Sequence, residues 1–139
     1  MVDFASTGVG LGMSDVAMHI HHAVLPEHLE NGGEDALVDH YLTELNQRLA
    51  VHSKSYPRET ALRHYRLAVA DYFRFFLGRF WKSATPESFA KKKDSKNTAL
   101  INRNVASALR FLDRVEGYLT QIETEEKATA CVATASGDN

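Results

Sequence analysis

Apolar positions recur every three or four residues along most of this chain, and that period predicts amphipathic helices rather than strands. Val16, Ile20 and Val24 mark a first helix over about 15–24. Ser14 is a candidate N-cap for it, and Asp15 is favoured beside the helix dipole. Pro26 limits its extension, and Asn31-Gly32-Gly33 breaks the chain again. A second helix over about 34–51 carries Leu37, Tyr41, Leu45 and Leu49 at one per turn. After Pro57, which suits a helix start, comes the most aromatic stretch. Leu62, Tyr65, Val69, Tyr72, Phe73, Phe76 and Phe80 share a face, and Trp81 closes it. This helix is expected at the centre of the core. Phe75 falls off the stripe and is expected to face a missing partner or lobe.

Thr85-Pro86-Glu87 signals a short helix to about residue 93. The last helix has the most regular seam: Ile101, Val105, Ala108, Leu112, Val115, Leu119 and Ile122. From Lys127 onward the residues are small and polar. Residues 126–139 are therefore expected to form a disordered tail. The opening residues, 1–13, have glycines at 8, 10 and 12 and no helical period. They read as a loop, with a short strand at Val2–Phe4. The expected fold class is all-α, in one domain.

Composition narrows the function classes. The chain has 139 residues, 16 basic and 18 acidic, for a net charge of -2, so no long-range field selects nucleic acid or an anionic membrane. No apolar run reaches the roughly 18 residues of a membrane span. One cysteine, Cys131, cannot close an internal disulfide, which fits a reducing compartment. A cytoplasmic location is the expectation, with neither nucleic acid nor membrane as partner.

Three local patterns invite chemistry. Gly8-Val9-Gly10-Leu11-Gly12 lacks the Gly-Lys-Ser/Thr ending of a phosphate loop and reads as a turn. His19 and His22 would share a helix face while His21 points elsewhere, and nothing at a suitable spacing completes a zinc site. Lys91-Lys92-Lys93, with Lys96, reads as a solvated basic run without the aromatic interleaving of a nucleic-acid surface.

The opening motif is more specific. Val2-Asp3-Phe4, then Thr7-Gly8-Val9-Gly10, then Asp15-Val16-Ala17 resembles the aminoglycoside phosphotransferase family, and more closely its choline-kinase-like and ecdysteroid-kinase-like branch. Tyr41-Leu42-Thr43-Glu44-Leu45 and Tyr65-Arg66-Leu67-Ala68-Val69 are also similar to the substrate-side lobe of these proteins. The resemblance spans about residues 2–122. It implies the helical C-terminal lobe of a protein-kinase-like fold over 1–125, with 1–13 a remnant of the metal-site loop and 14–125 helical. It also implies Mg²⁺- and ATP-dependent transfer of a phosphoryl group to a hydroxyl on a small molecule.

On this resemblance Asp3 is the metal ligand, a hard oxygen donor for Mg²⁺ against the nucleotide phosphates. Asp15 is a structural acid that braces the catalytic loop, buried and accepting backbone amides. The family's His-Gly-Asp loop with its Asn, its glycine-rich nucleotide loop, and its phosphate-binding lysine and glutamate precede the metal acid. None has a counterpart in residues 1–139. No catalytic residue is therefore assigned, and the chain alone is expected neither to bind Mg²⁺·ATP nor to act as a kinase. The alternative is a non-catalytic helical interaction module that pairs with a helical partner or a missing N-terminal lobe.

Overall fold

The computed structural model describes residues 10–135, and among them there are helices and turns but no strand. The chain is all-α. The order is α1 (Gly12–Ala23), a 3₁₀ turn at Pro26–His28, α2 (Gly33–Ala50), α3 (Arg58–Phe76) with a wider π-type turn at Leu77–Trp81, α4 (Pro86–Ala90), a second 3₁₀ turn at Leu100–Asn102, and α5 (Val105–Ala135). No helix is long and apolar enough to cross a membrane.

The aromatic helix α3 occupies the centre, as its sequence predicts. It packs against α1, α5 and α2, and Tyr65, Val69, Tyr72 and Phe76 are all buried on it. Contacts from Tyr65 to Tyr118 and from Tyr72 to Phe111 place α5 antiparallel along one side. Contacts from His21 to Tyr65 and from His22 to Tyr72 place the C-terminal end of α1 along another. Burying rings of this size on three neighbours contributes about 1.5–3 kcal/mol per side chain before ordering costs.

The joints follow local chemistry. Gly32 adopts a left-handed φ of 85°. A Cβ on Gly33 would lie 1.9 Å from the His28 carbonyl oxygen, so only glycine fits where α2 begins. Between α2 and α3, the Asn46 amide clasps Tyr56, donating to its carbonyl at 3.0 Å and accepting from its amide at 2.6 Å. At α4, Thr85 and Ser88 form a reciprocal capping box with Pro86 in the first turn.

Several expectations about helix registers and ends need correcting. Helix α1 starts at Gly12, with Leu11 as its N-cap and the Ser14 amide bonded to the Leu11 carbonyl at 2.9 Å, so Ser14 lies inside the helix. On α2 the inward positions are Glu34, Val38 and Leu42, while Leu37 is exposed and Tyr41, Leu45 and Leu49 are half-buried. Its stripe is rotated by one residue because the helix meets α3 over a carboxylate instead of a leucine. Helix α5 starts at Val105, where the Asn104 side chain accepts from the Ser107 amide at 2.7 Å, so Ile101 precedes it in the 3₁₀ turn. Ala108, Val115 and Ile122 are buried as predicted, but Phe111 joins them while Val105 and Leu119 are exposed. Past Lys127, where the composition points to a disordered tail, the helix runs on to Ala135. Extending an existing helix fixes one residue per new hydrogen bond, and the alanines there favour it.

Candidate functional site

Four side chains from four helices meet in the interior. Glu34, in the first turn of α2, is 2% exposed. The α3 hydroxyl of Tyr65 donates to Glu34 Oε1 at 2.6 Å. His21 Nε2 of α1 lies 3.3 Å from the same oxygen. Arg114 of α5 donates from Nη1 to Glu34 Oε2 and from Nη2 to the Leu29 carbonyl at 3.2 Å. A buried carboxylate costs several kcal/mol to desolvate unless it is paired and fully hydrogen-bonded. Here Arg114 supplies the charge and one donor, Tyr65 a second donor, and the α2 N-terminus a favourable dipole, with the His21 ring packed alongside.

The electrostatics fix what this cluster does. Burial, helped by the Arg114 charge, lowers His21 to a pKa of about 3. It therefore lies beside Glu34 as a neutral imidazole and not as the cation of an ion pair, and Arg114 neutralises the carboxylate. Burial raises the Tyr65 phenol well above its ordinary range, with Tyr118 and Asp35 adding to the effect. Near neutral pH neither group exchanges a proton readily. The cluster is a lock between helices rather than an acid–base pair.

The lock floors a polar cleft of about 390 Å³ where α2 begins, walled by α3 and α5. Arg58, Arg66, Arg114, Asp35, Tyr118 and Gln121 line it. Arg58 pairs with Asp39 at 2.6 Å, and Arg66 pairs with Glu125 through Nη2. Arg66 Nε is buried without a protein partner among the described residues. The cleft's volume falls within the range of small-molecule sites, and its lining is polar.

A second concavity, of about 320 Å³, lies between α1, the end of α3 and the segment after α4. Its walls are Met18, Tyr72, Phe75, Phe76 and Phe80, with His22, Lys92 and Asn102 at the edge. Phe75 is 45% exposed, as its position off the stripe predicts, and Phe80 is 40% exposed. The π-type turn at Leu77–Trp81 widens the helix here and carries Phe80 outward.

The residues singled out by sequence separate widely. Asp3, the Val2–Phe4 strand and Gly8 of the turn lie outside the described residues. Asp15 is exposed in the first turn of α1, where its charge suits the dipole, and belongs to neither concavity. His19 and His22 are both exposed, while His21 is the buried member of the three. Burial, Arg103 and His19 hold His22 below its ordinary pKa. Among the described residues no group of three or more His, Cys, Asp or Glu is placed to hold a metal ion.

Sequence reasoning missed Glu34, Arg114 and Phe111. Glu34 could have been found from Val38 and Leu42, which follow it at four-residue spacing on the inward face. Neither a scan of protein-family models nor searches of curated proteins and solved structures return a match to this chain.

Proposed function

We propose that this chain is the helical, acceptor-side part of an ATP-dependent small-molecule kinase, with the α2–α3–α5 cleft as a binding surface for a hydroxyl-bearing acceptor. The observation that carries the reading from geometry is that cleft, at about 390 Å³ and lined by guanidinium, phenol, carboxylate and amide groups. Polyols, amines and amino sugars each find complementary donors and acceptors there. The order of Asp3, a glycine turn and Asp15 supports the same reading. In an intact enzyme Mg²⁺ held at Asp3 would neutralise charge on the transferring phosphoryl group. The role of Asp15 as a brace for the catalytic loop belongs to the same proposal.

The test is the mass of the endogenous protein, read by immunoblot with an antibody raised to residues 101–122. The kinase reading expects a band well above 15.5 kDa, near the size of a two-lobed enzyme. A band at 15.5 kDa would remove the enzymatic reading. A second reading, a helical interaction module, is favoured by the outer flank of α5, where Val105, Leu109 and Leu119 are 41%, 53% and 43% exposed. Dimers that survive dilution, with no Mg²⁺·ATP effect on melting, would support it. A nucleotide-dependent melting shift abolished by Asp3→Ala would support the kinase instead.

A further inference from the structure

We infer that the aromatic groove between α1 and the end of α3 is a docking site for an apolar segment of another protein flanked by acidic residues. Two independent features converge on this occupant. Phe75, Phe80 and Met18 are each 40–47% exposed around a formed concavity, although Phe76 beneath them is buried. Isolated exposed apolar side chains are ordinary on a protein surface, whereas rings gathered around one concavity mark an interaction site. Ring pairs hold the walls in place: Phe76 meets Phe80 at 5.1 Å and Tyr72 at 4.8 Å between centroids. The groove is thus a preformed pocket for anchoring side chains.

The second feature is charge. Between residues 79 and 103 there are seven basic side chains and two acidic ones, Glu87 and Asp94, in a chain whose net charge is -2. Two of these basic side chains meet the groove directly. Lys92 is part of its wall. Arg79 lies 5.9 Å from the ring centroids of both Phe75 and Phe80. Arg103 and His19 are near enough to disfavour a proton on His22 at the groove edge. Lys91, Lys93 and Lys96 are exposed on the segment that borders it. A predominantly basic rim around an apolar floor favours acidic partners, through both encounter rate and rejection of wrong partners. The lysine run that reads as mere solvated surface in isolation contributes Lys92 to the wall of a pocket once the fold is known.

The inference stands apart from the kinase and interaction readings, because its assay contains no nucleotide and no acceptor. Trp81, the one tryptophan of the chain, is 5.7 Å from Phe76 between ring centroids and serves as a reporter. The full chain is titrated against a fluorescein-labelled amphipathic peptide with Leu and Phe on one face and Glu on the other, and against the same peptide with Lys for Glu. Peptide anisotropy is followed with the labelled peptides and Trp81 emission with unlabelled ones. The acidic peptide is expected to bind at least about tenfold more tightly than the basic one, with affinity falling as salt is raised. Phe80→Ser and, separately, Lys91→Glu with Lys93→Glu should each weaken binding about tenfold while the helical circular dichroism is retained. No binding by the acidic peptide, equal binding of both peptides, or indifference to both sets of substitutions would overturn the inference. So would sedimentation of the free chain as a dimer that Phe80→Ser dissociates, since a second copy would then be the occupant.

Discussion

The two concavities of this molecule treat their difficult groups in opposite ways. Under the polar cleft, a carboxylate that is 2% exposed has every oxygen engaged, by Arg114, Tyr65 and His21 from three other helices. In the aromatic groove, rings at the end of α3 are left 40–45% exposed with only each other and a basic rim for company. The polar cluster is closed within the chain, and breaking it should chiefly affect folding. The groove is open, and altering its rim and outer rings should chiefly affect what binds there.

Phe111 joins the two regions, touching His21 at 4.7 Å and Tyr72, Phe73 and Trp81 at 6.1–6.3 Å between centroids. Phe111→Ala should therefore produce the largest loss, about 4 kcal/mol in urea unfolding. Its neighbour Leu112, half-buried, should lose distinctly less on truncation to alanine. Equal losses at the two positions would mean that α5 does not present the 108–111–115 face to the core.

Acid should act on the polar region next. His21 has a folded-state pKa of about 3, below the ordinary value of 6.5. Between these pH values the unfolded chain binds the extra proton, so stability rises with pH across this window. Acidification from pH 6.5 toward pH 3 should lower stability progressively through this group, with no further loss from it below pH 3. His21→Gln should flatten that part of the stability–pH curve, and an unchanged slope would show that His21 does not titrate as described.

A smaller effect is expected at the rim of the groove. Thr85→Ala removes the capping box of α4 and should cost about 1 kcal/mol. Because α4 carries Phe89 beside Trp81, at 6.4 Å between centroids, the loss should be accompanied by a shift in Trp81 emission. No spectral change would mean that α4 is not coupled to the aromatic cluster.

Local chemistry was legible in the sequence where the cause is local. Asn31-Gly32-Gly33 announces the start of α2, Thr85-Pro86 that of α4, and the ring spacing on α3 its central place. In α5, Ala108, Val115 and Ile122 are buried as the period predicts, but leucines and aromatics compete for the flanks. The neighbours, not the period, chose Phe111 and Tyr118 over Leu112 and Leu119. Glu34's place on the inward face could be read from Val38 and Leu42, but its pairing was not legible, because its partners lie 13, 31 and 80 residues away. The kinase-like motif begins at Asp3, outside the described residues, and its second acid, Asp15, is exposed rather than buried. The aromatic groove was half-visible, in Phe75 standing off the stripe. Its basic rim emerges only when the fold brings Arg79 to Phe75 and Phe80 and Lys92 to the wall of the same groove.

Thermal unfolding of Glu34→Gln beside Phe80→Ala tests the division between closed cluster and open groove most directly. Glu34→Gln preserves shape but leaves Arg114 facing a neutral amide, and should lose about 3 kcal/mol, lowering Tm by roughly 10 °C. Phe80→Ala removes a ring already 40% exposed and should lower Tm by no more than about 3 °C. The reverse ranking would contradict the account, placing the stabilising contacts in the groove and leaving the polar cluster free to serve another role.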